Sequence, residues 1–522
     1  MATTFAEQFP TRAAAKPAPH AVIQALAGTG KTTTLIEGVR EALGKKSELT
    51  PSPQQRAVWD LLKEGPEVRS ACFVSFNRSI AQELQSRVPE GCVAMTMHSL
   101  GARAVRSVFG NLALSEWRVR DIMGRILNRD IKDVFKENPV LVQATDKLVR
   151  LCKMGLVEFS NDMTAEEVGD ILDPIASHYD VDLNDSRDLV YELVPQVLEA
   201  CKDVNADRRM DYNDMIWLPV VLNLPLSRYP LLLVDESQDL NGCQQELAFR
   251  SGDRLVFCGD EHQAIYGFAG ADAESMQRLI DRLAGTPAGV VVLPLTQTRR
   301  CGKAIVKEAQ RIVEGFEAHE TNGDGAIFHA AYDPDSPKFY GYEVQAGDML
   351  LCRVNAPLVS QCFRFLKEGR KANIQGRDVG RALVSTIEKS KTTTAVELVT
   401  WIGNWLDAEQ KKENAKKYPS DSRLMSLQDR HDCIITFCSG AVTVDQIITR
   451  IKSIFTDSVQ PGINLSTIHK AKGLEAKRVY LLEPMGAGVP HPMAKSDWQV
   501  VQEWNLRYVA ITRAIDQLVY VS

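Results

Sequence analysis

Between Leu26 and Thr34 the chain reads Leu-Ala-Gly-Thr-Gly-Lys-Thr-Thr-Thr, a spacing that gathers backbone amides, one lysine and hydroxyls at a single turn. Gly28 and Gly30 free the backbone to wrap a small anion, and amides at the start of a following helix attract negative charge. Lys31 supplies a mobile cation for a terminal phosphate, and the Thr32 hydroxyl is a hard donor suited to Mg²⁺. Ala27, Gly28, Thr29, Gly30, Lys31, Thr32 and Thr33 are thus candidates for holding the phosphates of a nucleoside triphosphate. The layout is that of a Walker A loop in which Ala25 stands where the first glycine would be. A glycine-rich turn with no ligand is the bland alternative, and the agreement of strand, loop and helix pattern argues against it.

Such a nucleotide needs a carboxylate on the metal side. Leu231-Leu-Leu-Val234 delivers Asp235-Glu236 at the C-terminal end of an expected strand, where α/β sheets place their ligands. Asp235 suits the cation, and Glu236 suits orienting or deprotonating an attacking water. His431-Asp-Cys433 and Cys438 invite a metal reading, but their spacing is wrong for zinc and the segment reads as apolar with buried thiols. No Ser-His-Asp or Cys-His arrangement stands out.

The elements that must position these groups are short apolar runs, each followed by a turn and a helix-period stretch: 21–25, 71–76, 231–234, 255–258, 290–293, 348–352 and 478–482. Strands alternating with helices imply an α/β chain with parallel sheets. Residues 105–224 turn charged and helix-periodic, as at 146–154 and 188–198, and read as a helical insertion. A second α/β domain starts near Arg299 and is interrupted from about 391 to 460. The expected division is a first α/β domain over 1–104 and 225–297 around the 105–224 insertion, and a second over 298–390 and 461–522 around the 391–460 insertion. With 522 residues, 44% apolar and 25% charged, the balance is that of a globular chain rather than a disordered or fibrous one. No run approaches a membrane span and no signal core opens the chain, so a cytosolic protein is expected. Its 11 cysteines form no Cys-x-x-Cys pair, which points to buried, reduced thiols. A net charge of −6 argues against attraction of the whole molecule to nucleic acid but leaves room for a basic groove.

Asp235-Glu-Ser-Gln-Asp239 resembles the Walker B box of superfamily 1 helicases of the UvrD/Rep type, and further segments match that family's motifs in order. These are 75–81, 96–101, 211–215, 259–270, 295–300, 466–475 and 508–514, with wording similar to the F-box DNA helicase and phage-type branch. The resemblance implies two RecA-like P-loop domains with parallel sheets, each interrupted by a mainly helical insertion. It implies ATP and Mg²⁺ as cofactors. Lys31, Glu236, Gln263, Arg300 and Arg513 become the catalytic set, with Gln263 sensing the γ-phosphate and both arginines reaching across from the second domain. Gly473 and Glu475 lie near the ribose, and Thr32 and Asp235 hold the metal. For DNA the resemblance points to Phe76, Asn77, Arg78, Thr96, His98, Tyr266, Phe268 and His469. An interior histidine is the alternative for His98 and His469, and a core aromatic for Phe268.

Four departures stand out. The glutamine motif that reads adenine in the family lies upstream of Walker A, whereas the look-alike here, residues 49–58, follows it; Gln8, Gln54 and Gln55 are the alternatives for that role. Arg299 replaces an aromatic expected to stack on adenine. Phe268 and Ala269 stand where Trp and Arg are usual, and the second insertion is short. The expected activity is an ATP-dependent DNA helicase or translocase acting as a monomer on single strands and duplex junctions, moving 3′ to 5′. The alternative is a nucleic-acid-gated ATPase switch in a repair, replication or defence assembly.

Overall fold

The computed structural model describes residues 17–522 apart from 48, 66, 76–77, 180, 266–274, 332–342, 416–420, 457–460, 493 and 495–496. Two parallel sheets organise the chain. The first has six strands in the order Cys92–Thr96, Ala71–Ser75, Tyr229–Val234, Gly252–Gly259, His20–Ala25 and Val290–Leu295. Each neighbouring pair is parallel. The second has seven, again all parallel: Ala326–Ala330, Ala514–Val521, Ala476–Leu482, Met349–Cys352, Ile463–Thr467, Ala372–Gln375 and Phe455–Thr456. Continuous burial of Leu231 to Val234 and of Met349 to Cys352 explains their unbroken apolar sequence, because helices cover both faces of a parallel sheet.

One face of the first sheet packs on helices Lys31–Ala42 and Pro53–Lys63. Its other face shares a single core with the helices between Arg118 and Val221, so those helices are welded to the sheet rather than hung from it. The weld is tight at Gly101 in helix Met97–Phe109, where an added Cβ would lie 2.0 Å from the Met215 carbonyl oxygen of helix Asp214–Val221. Only glycine lets the two backbones approach so closely. An ionic cluster lies within this layer. Lys153 donates to Asp211 and Asp214 at 2.9 and 2.7 Å, and Arg118 donates to the other Asp214 oxygen at 2.7 Å. Asp211 and Asp214 belong to the acidic box at 211–215, which is therefore occupied internally.

In the second domain, helices Ala395–Asn414, Asp421–Cys438 and Val444–Ile454 share a core with one face of the sheet. The other face packs on the helix Asp497–Ile511 and reaches Ala27 and Ile265 of the first domain, so the apolar interior is continuous across the domain boundary. All 11 cysteines are buried free thiols. Among the described residues no helix is long and apolar enough to cross a membrane.

Candidate nucleotide site between the two domains

Strand His20–Ala25 ends in the loop that starts helix Lys31–Ala42, and its two glycines adopt left-handed backbone angles, φ 69° at Gly28 and 78° at Gly30. Gly28 has no room for a side chain: a Cβ would lie 2.5 Å from Thr298 Oγ1 and 2.6 Å from the Arg300 Cβ. The second-domain segment thus rests on the loop, and the Arg299 amide donates to the Gly28 carbonyl at 2.9 Å. Tyr508, from helix Asp497–Ile511, accepts the Ala27 amide on its hydroxyl at 3.1 Å.

Asp235 and Glu236 follow strand Tyr229–Val234. The Thr32 hydroxyl donates to Asp235 Oδ2 at 2.6 Å, so the two oxygen donors expected to hold a cation are already side by side. Their chemistry fits Mg²⁺, which prefers hard oxygen ligands. Glu236 has φ 55°, an uncommon conformation for a residue with a side chain. Gln238 donates to its carboxylate at 2.6 Å and accepts the Asp260 amide at 3.0 Å, so the glutamine fixes Glu236 against the next strand end. Gly259 leaves the space for that glutamine, since a Cβ there would meet Gln238 Oε1 at 2.6 Å.

Charge is distributed unevenly over these groups. Burial disfavours ionised Glu236, but Lys31 and Lys472 more than offset it and hold the carboxyl below the usual range. Burial and the Glu236 charge push Asp235 upward instead. Lys31 is held above its ordinary value because Glu236, Asp260, Cys258 and Asp235 outweigh its burial. A carboxylate of low basicity suits positioning a water more than removing its proton. Gln263 is buried with its amide donating to Asp260 at 2.6 Å. Arg300 pairs with Glu475 at 2.5 Å. Arg513 is fully enclosed, donating to the carbonyls of Val509 and Leu474, and burial with the neighbouring Arg300 lowers it to about 10. Gly473 is left-handed, φ 85°, beside that arginine's loop.

The glutamines after the loop reach it through tertiary packing. Helix Pro53–Lys63 lies along helix Lys31–Ala42, the Gln55 amide donates to Thr34 Oγ1 at 3.0 Å, and Gln54 exchanges two hydrogen bonds of 2.9 Å with Thr296. Gln8 lies outside the described residues.

Of the residues expected at DNA, Phe76, Asn77, Tyr266 and Phe268 lie outside the described residues. Arg78 is exposed at the start of helix Arg78–Arg87. Thr96 is buried and its hydroxyl caps helix Met97–Phe109 by accepting the Ser99 amide at 3.1 Å. His98 is half-buried and meets the exposed Tyr212 ring edge-on, centroids 6.4 Å apart. Burial lowers His98 and takes His469 down to about 3, so both rings are neutral near pH 7.

Three residues that sequence reasoning passed over complete the site. Besides Gln238 and Tyr508, Lys472 crosses from the second domain to donate to Asp239 at 2.6 Å and to the Gln263 carbonyl at 2.8 Å. All three lie inside the recognised motifs, yet spacing alone could not say which partner each would meet. Burial pushes Asp239 up to about 6 in spite of that lysine.

A P-loop on one parallel sheet, met by Thr298, Arg300, Lys472 and Tyr508 from a second, has the layout of a two-domain P-loop nucleotide hydrolase. The profile of the UvrD/REP helicase N-terminal domain matches residues 7–284, and that of the UvrD-like helicase C-terminal domain matches 353–522. The chain belongs to the UvrD/REP helicase family. It is 23% identical to F-box DNA helicase protein 1 of Schizosaccharomyces pombe over 545 residues, covering 95% of this chain and 55% of that protein. ATP-dependent DNA helicase Rep of Escherichia coli is 21% identical over 592 residues, covering 87% of this chain and 84% of Rep. F-box DNA helicase 1 of Gallus gallus is 23% identical across 94% of this chain and 46% of its own length. The chain thus spans about half the length of the F-box relatives it matches.

Proposed function

We propose that this protein is an ATP-driven motor that grips single-stranded DNA, steps 3′ to 5′ and separates duplex at junctions, working as a monomer in the cytoplasm. The observation that carries this reading is the composition of the nucleotide site: Thr298, Arg300, Lys472 and Tyr508 of the second domain all meet first-domain residues of that site or the loop itself. Any change at the γ-phosphate is then felt at the domain boundary, which is how hydrolysis becomes movement. Ala27 to Thr33 bind the phosphates, and Gln54 or Gln55 reaches the base. Thr32 and Asp235 would hold Mg²⁺, whose contribution is to neutralise charge on the phosphate oxygens. Glu236, fixed by Gln238, orients the water. Gln263 reports the γ-phosphate to Lys472 through its carbonyl. Arg300 and Arg513, now held by Glu475 and the Leu474 carbonyl, stabilise the developing charge. Gly473 and Glu475 border the ribose. Phe76, Asn77, Arg78, Thr96, His98, Tyr266, Phe268 and His469 follow the strand, with neutral histidines as hydrogen-bonding rather than ionic contacts.

The test is ATP hydrolysis with and without a single-stranded oligonucleotide, for the wild type beside Glu236→Gln, followed by displacement of a duplex bearing a 3′ tail. Strong stimulation is expected, with turnover in the variant reduced by about 10²- to 10⁴-fold while nucleotide still binds. Turnover indifferent to DNA would sink the motor reading, and stimulation without displacement would favour a gated switch.

A further inference from the structure

A groove that shares no residue with the nucleotide loop lies on the helical layer of the first domain. It encloses about 1320 Å³ between the segment 157–163 and the helices Ala165–His178 and Arg187–Ala200. Its floor is apolar and incompletely covered: Phe159 and Met163 are half-buried and Leu189 is 41% exposed. Around that floor stand carboxylates. Glu158, Glu166, Asp170 and Glu192 are exposed and have no ion-pair partner among the described residues.

The two cations that line the groove are already spent. Arg187 is held by Asp173 through contacts of 2.6 and 3.2 Å, and Lys202 by Glu199 at 2.5 Å. The walls therefore offer carboxylates over apolar side chains, with no cation outside an ion pair among the described lining residues.

We infer that this groove is a docking site for a basic amphipathic helix of a partner protein. Its apolar side chains would cover Phe159, Met163 and Leu189, and its lysines or arginines would pair with Glu166, Asp170 and Glu192. Nucleic acid and anionic membrane surfaces are excluded by the same charge that attracts the helix. The inference is independent of the motor reading, because the groove shares no residue with the nucleotide site.

The probe is a fluorescein-labelled amphipathic Leu/Lys peptide of about 15 residues, long enough for four helical turns, followed by anisotropy with the full chain. Controls are a Ser/Lys peptide of equal charge, a Leu/Glu peptide and a single-stranded DNA competitor. Binding of the Leu/Lys peptide alone is expected, weakened about tenfold or more by the triple change Glu166→Lys, Asp170→Lys and Glu192→Lys and also by Leu189→Ser, and not displaced by DNA. All four positions are exposed, so folding should survive, with unstimulated ATP turnover as the check. No binding, equal binding by the triple variant, equal binding of the Ser/Lys peptide, or displacement by DNA would each overturn the proposal. So would a concentration-dependent dimer abolished by the same charge reversals, which would make the occupant a second copy.

Discussion

Glu236 shows how one side chain is prepared for the water-orienting role proposed for it. A left-handed backbone at a non-glycine residue costs on the order of 1–3 kcal/mol, and here the hydrogen-bonded chain Asp260 amide, Gln238, Glu236 holds it in place. Electrostatics complete the arrangement, since Lys31 and Lys472 keep the carboxylate ionised against its burial. His469 illustrates the opposite balance. Burial and Arg353 bring its folded-state value from 6.5 to about 3, so below pH 6.5 the unfolded chain takes up a proton that the folded one refuses. The stability from this residue is present above 6.5 and is lost as pH falls toward 3. Urea unfolding at pH 7 and pH 5 should therefore show wild type losing about 1–2 kcal/mol more than His469→Asn over that interval. Equal losses would mean that the ring is protonated in the folded protein.

At the scale of elements, the layer of helices between Arg118 and Val221 is fixed by close backbone contact at Gly101 and by the buried Arg118–Asp214–Lys153 cluster. Asp214 is fully buried and serves two cations at once, so its removal leaves Lys153 with Asp211 alone and Arg118 with Asp207 alone as carboxylate partner in a buried layer. Asp214→Ala should cost about 3–5 kcal/mol, read as a lower denaturation midpoint. A shift below about 1 kcal/mol would show that water already reaches these charges. The same acidic box carries exposed Tyr212 toward His98, so destabilising the cluster should also disturb that face.

For the whole molecule the decisive feature is that the two sheets meet at the phosphate loop. Lys472, Tyr508 and Asn505 each bond first-domain groups, and the apolar interior runs through Ala27 and Ile265 into the second domain. Lys472→Met keeps the stem but loses the bonds to Asp239 and to the Gln263 carbonyl. We expect the stimulation of ATP turnover by DNA, taken as the ratio of stimulated to unstimulated rate, to fall about 5- to 150-fold, the range of a typical coupling free energy, on top of the loss that both rates share when the charge beside Glu236 is removed. Equal loss with and without DNA would assign Lys472 to the chemistry rather than to the coupling.

The sequence by itself determined the phosphate loop, the carboxylate pair and the parallel α/β class, because each rests on local spacing: two glycines and a lysine at a turn, or four buried aliphatics before Asp235. It also indicated the helical character of the first insertion through periodicity, whereas that of the second followed from the family resemblance. Strands Ile463–Thr467 and Ala514–Val521 were not among the expected strands, since Asn464, Ser466 and Gln517 break the apolar run although the strands are central or nearly so. Strand Ala372–Gln375 escaped because Asn373 and Gln375 leave it no apolar run. Tertiary structure alone decided that Gln54 and Gln55 stand beside the loop they follow in the chain, that the acidic box is sealed by Lys153 and Arg118, and that Lys472 spans the domains. Each of these joins residues tens to hundreds of positions apart, and spacing along a chain holds no information about which distant partner a side chain will meet.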